Sequence, residues 1–134
     1  MWVAETGIKY KNRPDVLLVK LDPHSRVAGV FTKSTAPGAP VTWSRDCLKR
    51  GANRGILVNA GNANVFTGKQ GDDDVRAMAG FAAQALDCDP QDVYVCSTGV
   101  IGEPLDLQPF ESLATSNSFL SLSADWPQVA QAIA

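Results

Sequence analysis

Apolar positions along the chain fall into several short runs and one long periodic stretch, and the two patterns predict different elements. DVLLVKL (15–21) and RVAGVF (26–31) are apolar runs of strand length separated by the turn-forming cluster DPHS, which predicts two adjacent antiparallel strands. TKSTAPGAPV (32–41) holds two prolines and a glycine and is expected to be loop. SRDCLKRG (44–51) predicts a short helix, with Ser44 as its N-cap and Gly51 at the left-handed C-terminal position. GILVNAG (55–61) is a further buried strand.

The clearest helix is QGDDDVRAMAGFAAQALD (70–87), where Val75, Met78, Ala82 and Leu86 recur at helical spacing. Asp72, Asp73 and Asp74 are placed there to favour the free amides at its start, and the alanines with Gly80 predict close packing on a sheet. DVYVCS (92–97) reads as a strand. Beyond Leu105, Pro109 and the cluster ATSNSFLSLS blur any helical period, and DWPQVAQAIA then restores it, with Asp125 as cap. The resulting fold class is mixed α/β, strands layered against helices, in a single domain over residues 1–134.

Composition narrows what such a fold can do. With 134 residues, 45% apolar and 19% charged, the chain has material for one packed core, and a formal charge of −2 argues against a nucleic-acid or anionic-membrane surface. No apolar run reaches the roughly 20 residues that span a bilayer, and the start lacks the apolar middle of a signal peptide, so the expected location is cytoplasmic. Cys47, Cys88 and Cys96 show no C-x-x-C spacing, which argues against a disulfide framework or a zinc site. Three consecutive carboxylates on a helix point in different directions and make a poor metal cage. His24 is the sole histidine and sits in a turn cluster, leaving a Ser-His-Asp triad without material.

Two strand ends run into small residues: VNAGNANVFTGKQG after Ile56–Asn59 and CSTGVIG after Val93–Cys96. Such corners let a backbone approach a ligand closely and leave amides free to donate. Neither follows the order of a phosphate loop or a dinucleotide fingerprint. Two readings stand. In one, Asn59, Asn62 and Asn64 merely bond the local backbone. In the other, the Thr98 hydroxyl and the Gly99 amide aim at one point, as an oxyanion hole does, and Asn62 and Asn64 are substrate-pocket candidates. Ser97, Thr98 and Thr67 also present hydroxyls, but none has a base partnered to it in the sequence pattern.

GIKYKNRPDVLLV, AGVFTKSTAPGAPV, RGILVNAGNANVFTGKQG and VCSTGVIGEPL, in this order and spacing, resemble the amino-terminal part of the ornithine acetyltransferase family, the bifunctional glutamate N-acetyltransferases of arginine biosynthesis. The likeness runs from about Gly7 to Leu105 and returns in WPQVAQAIA. It implies a precursor that cleaves itself into α and β chains. The new amino-terminal threonine of the β chain carries acetyl from N-acetylornithine to glutamate. No cofactor is implied, although some members take acetyl-CoA as acetyl donor. By resemblance the Thr-Gly of the STG motif, Thr98 and Gly99, forms the oxyanion hole.

Compared with that family, the chain reads as roughly the first two-thirds of an α chain, without the nucleophile. The implied partners are a β chain and the two amino-acid substrates, with no nucleic acid or membrane, and exposed sheet edges favour association into an oligomer. Two rivals come from other classes: a noncatalytic binding or assembly module that keeps the scaffold, and an unrelated nucleotide-binding α/β domain, which a nucleotide would stabilise in a melt.

Overall fold

The computed structural model describes residues 1–116, 120 and 123–134. Its centre is a four-stranded sheet in the order β1 (Trp2–Ala4), β2 (Val16–Lys20), β3 (Gly55–Asn62), β4 (Val93–Val100). The β1–β2 and β2–β3 pairs are antiparallel, and the β3–β4 pair is parallel. A parallel pair needs a crossover, and the helix predicted from the long periodic stretch supplies it. This is α2 (Gly68–Leu86), flanked by α1 (Ala39–Arg50) before β3 and by α3 (Gln108–Thr115) and α4 (Trp126–Ile133) after β4.

The mixed α/β expectation holds, and the core follows the two periodicities. Val16 and Leu18 of β2, Leu57 of β3, and Val93 and Val95 of β4 alternate onto one sheet face. There they meet Val75, Met78, Ala79, Ala82, Ala83 and Leu86 of α2, with Phe110 of α3 fully buried beside them. Three alanines in that contact let α2 sit close to the sheet. Gly80 does not contribute to this, because a Cβ built there would meet nothing within 4 Å.

Several local expectations are corrected. RVAGVF is not a strand: residues 26–31 lie outside regular structure, with Val30 98% exposed. Both edges of β2 are already taken, by β1 and β3, so no place remains for that segment to pair. Helix α1 begins at Ala39, earlier than predicted, because Pro40 falls in the first turn, where a missing N–H costs nothing. Ser44 is therefore not a cap but a buried residue inside the helix, whereas Gly51 does end it.

Helix α2 starts at Gly68, so Asp72 to Asp74 lie beyond its first turn. Asp73 is held by Lys69 and Arg76, and Asp74 is buried and accepts from Gln70. Pro109 likewise opens α3 rather than preventing it. Asp125 caps α4 through a reciprocal pair of bonds with Gln128, as expected. Part of the ATSNSFLSLS cluster, residues 117–119, 121 and 122, lies outside the described residues.

Candidate functional site at the end of the parallel pair

The two small-residue corners come together because β3 and β4 are parallel neighbours, their carboxyl ends side by side: Asn59 pairs with Ser97, Ala60 with Thr98 and Gly61 with Gly99. The STG segment is thus inside β4, not after its end, and the strand continues to Val100.

Asparagines lock the first corner. Asn59 is fully buried; its amide donates to Asn62 O (2.8 Å) and its oxygen accepts from the Ser97 hydroxyl (2.6 Å). Asn62 donates to Glu103 O (3.0 Å) and Pro104 O (3.2 Å) while accepting from Asn64 N (2.8 Å). Asn64 donates to Gly71 O (3.0 Å) and accepts from the Thr67 hydroxyl (2.7 Å). The side-chain polar atoms of Asn62 and Asn64 are thereby engaged within the corner, and both residues are buried. The hydroxyls of Ser97 and Thr67 are given to amide oxygens, which are not bases.

Along the outer edge of β4, α1 takes the place of a fifth strand over part of the length. The Trp43 indole donates to Val93 O (2.9 Å), and Ser44 Oγ donates to Val95 O (2.7 Å) and accepts from Val95 N (3.1 Å). Burying Ser44 thus satisfies an edge residue's donor and acceptor together, which sequence reading of Ser44 as a cap missed.

The edge is open farther along. Ala60 N–H donates toward β2, to Asp15 O (2.8 Å), so Asn59 and Gly61 are the β3 residues that bond Thr98 across the parallel ladder. The Thr98 carbonyl then points at β3, and across a trans peptide the Gly99 N–H points the opposite way, off the sheet edge. Thr98 and Gly99 are both exposed, and the Thr98 hydroxyl bonds no described residue.

Gly99 could be no other residue without distortion. Its φ is +133°, and a Cβ there would lie 2.3 Å from Gly61 C and 2.6 Å from Asn62 N. At Gly61, with φ +99°, a Cβ would lie 2.7 Å from Lys9 Cβ on the amino-terminal loop. The two glycines therefore allow the strands and the amino-terminal loop to approach more tightly than side chains permit.

Beside this edge lies a cleft of about 310 Å³, lined by Val30, Phe31, Val41, Val65, Cys96 and Ser97 among others. A second cleft of about 220 Å³, walled by Trp43, Asp46, Arg50 and Arg76, lies between α1 and α2. His24 is exposed, in a turn where its amide bonds Asp22. The thiol of Cys47 is fully buried against Val93 O, and burial pushes its pKa up. No helix of the described residues is long and apolar enough to cross a membrane.

The chain is similar to the arginine biosynthesis bifunctional protein ArgJ of Bradyrhizobium diazoefficiens, 48% identical over 130 residues that make up 97% of this chain and 32% of the relative. It thus spans about a third of the length of the curated relatives it matches. Among solved structures, the ornithine acetyltransferase of Mycobacterium tuberculosis complexed with ornithine superposes with a TM-score of 0.86 at 30% identity, covering 98% of this chain and 72% of that one. The ArgJ structure from Bacillus halodurans gives 0.75 at 30% identity, covering 81% and 57%. The ArgJ family model matches residues 1–134, wider than the motif blocks, and with the shared fold this shows that the chain belongs to the ArgJ family.

Proposed function

We propose that this chain forms part of a cytoplasmic glutamate N-acetyltransferase that moves acetyl from N-acetylornithine to glutamate, and that it supplies the oxyanion hole from Thr98 and Gly99. One observation carries the reading. At a corner where neighbouring side chains are engaged with one another, the exposed Thr98 hydroxyl bonds no described residue and the Gly99 amide next to it points off the open edge.

The nucleophile is a threonine at the amino terminus of a β chain produced by self-cleavage. Its Oγ attacks the acetyl carbonyl, and its own α-amine takes the hydroxyl proton, so no histidine is required. Negative charge then develops on the carbonyl oxygen, where the Thr98 O–H and Gly99 N–H donate to it. Collapse breaks the C–N bond, and the ornithine amine leaves with that proton. The glutamate amine next attacks the acetyl-threonine ester through a second tetrahedral oxyanion in the same place; its proton passes by way of the threonine α-amine to Oγ as the C–O bond breaks, releasing N-acetylglutamate and restoring the threonine hydroxyl. Acetyl-CoA, as an alternative donor, would enter at the first step with a thiolate leaving group. Asn62 and Asn64 serve the pocket by fixing the corner behind it.

The test is to assay acetyl transfer from N-acetylornithine to glutamate with this chain alone and with the complementary two-thirds of a relative's length. Activity that appears only in the assembly supports the reading. Activity in the chain alone would place the nucleophile within it, and a folded, verified assembly without activity would favour a binding or assembly module.

A further inference from the structure

Asp15 is a buried carboxylate that the proposed chemistry does not use. It is fully buried, and its oxygens accept three hydrogen bonds: from Thr6 N (2.7 Å), the Thr6 hydroxyl (2.8 Å) and Ile8 N (2.9 Å). Those donors lie on the loop between β1 and β2, which turns at Gly7. A buried carboxylate that gathers two amides and a hydroxyl from one loop fixes where that loop lies.

The loop so fixed rests on the site. Its next residues, Ile8 and Lys9, press on Gly61: a Cβ at Gly61 would meet Lys9 Cβ at 2.7 Å, Lys9 N at 3.4 Å and Ile8 Cγ2 at 3.7 Å. On the opposite side Gly61 is in register with Gly99, whose own Cβ position is filled by Gly61 backbone. The loop thus presses on Gly61 and the Gly61 backbone on Gly99, with no side chain on either glycine to hold them apart. Asp15 also binds β3 directly, since its carbonyl accepts from Ala60 N (2.8 Å). Lys9 reaches over the same end of the sheet to Glu103 (2.9 Å), just past β4.

We infer that Asp15 is a positioning residue: by clamping the Thr6–Lys9 loop onto Gly61 it sets where β3 holds β4, and so where the Gly99 amide points. The inference rests on the oxyanion-hole reading of Gly99. It assigns Asp15 no contact with substrate.

Asp15→Asn keeps size and shape but replaces one accepting oxygen with an NH₂ that cannot accept from the loop. In the assembled enzyme kcat falls tenfold to about a hundredfold with KM little changed, because misplacing a catalytic group by about 1 Å costs on the order of 10²-fold. Thr6→Val removes only the hydroxyl bond and gives a smaller fall in kcat, which Thr6→Ser restores. Should Asp15→Asn unfold the chain, this Thr6 pair carries the test.

A readout independent of turnover is the amide spectrum of the chain by NMR. In a folded Asp15→Asn or Thr6→Val variant the Gly61 and Gly99 resonances move, while those in the middle of α2 stay. Thr98→Ala, assayed alongside, separates the two claims. If it lowers kcat while the folded Asp15 and Thr6 variants do not, the positioning role is overturned and the oxyanion hole stands. If Thr98→Ala leaves kcat intact, the oxyanion reading falls and takes the inference with it. Unmoved Gly61 and Gly99 resonances in a folded variant would also overturn it.

Discussion

Replacing Gly99 with alanine tests the close approach of β3 and β4 more severely than any other single change. The added Cβ would lie 2.3 Å from Gly61 C, 2.6 Å from Asn62 N and 2.7 Å from Gly61 Cα. All three are backbone atoms of a strand, so they cannot rotate away as a side chain would. A second cost comes from the backbone, because φ of +133° is a conformation an L side chain rarely adopts. Strained backbone of this kind costs about 1–3 kcal/mol and overpacking a further ~1–3 kcal/mol, which gives a loss of about 2–6 kcal/mol. The matched control is Gly80→Ala, where the new methyl meets nothing within 4 Å. There the better helix propensity of alanine should stabilise by roughly 0.5–1 kcal/mol. Urea unfolding followed by tryptophan fluorescence reads both, Trp43 being hydrogen-bonded to the edge of β4. A Gly99→Ala midpoint equivalent to within about 0.5 kcal/mol of the parent, the spread of ordinary surface changes, would refute the steric reasoning.

Other consequences are local. Phe110→Ala empties a fully buried position in the core and should cost about 3–5 kcal/mol by the same urea assay; a loss under about 1 kcal/mol would mean that α3 is not packed on α2 as described. Ser44→Ala leaves both Val95 N and Val95 O without their edge partner, a loss of about 1–3 kcal/mol. If Ser44 were a helix cap instead, Ser44→Asn would be tolerated, whereas the buried edge position predicts that it is as damaging as alanine. Because burial shields the Cys47 thiol, iodoacetamide at about pH 8 should modify exposed Cys96 and spare Cys47 until the chain is unfolded. Peptide mass spectrometry of the native chain would show otherwise if Cys47 is carboxymethylated.

What could be read from the sequence was what local periodicity determines. Helix α2 is long enough for Val75, Met78, Ala82 and Leu86 to declare a face, and β3 is a continuous apolar run, so both were legible. Strand β1 was not, because three residues carry no period. The fate of RVAGVF depended on who else pairs with β2, which is a property of the whole sheet: the run has strand composition, but both edges of β2 are taken by β1 and β3. Pro40 and Pro109 read as breakers because proline interrupts a helix interior, yet each stands in a first turn, where it fits.

The candidate site was legible in a different way. Thr98 and Gly99 could be named from the STG motif and its resemblance, and the small residues of both corners were visible as such. Their relation was not. That Gly61 stands opposite Gly99 and that the Ser97 hydroxyl meets Asn59 are matters of register, and that the Gly99 amide faces outward follows from the ladder's parity. Asp15 gave no signal at all, since a single acidic residue before a strand does not reveal that three donors from a loop converge on it.

The central claim is that Thr98 stabilises an oxyanion, and the most direct measurement is kcat for acetyl transfer from N-acetylornithine to glutamate in the assembled enzyme carrying Thr98→Ala. Thr98 is exposed and its hydroxyl bonds no described residue, so the fold should tolerate the change. Loss of one oxyanion donor predicts a fall in kcat of about 10²–10³ with KM nearly unchanged. A folded variant whose kcat stays within about twofold of the parent would contradict the account, because that is far below what an oxyanion donor contributes.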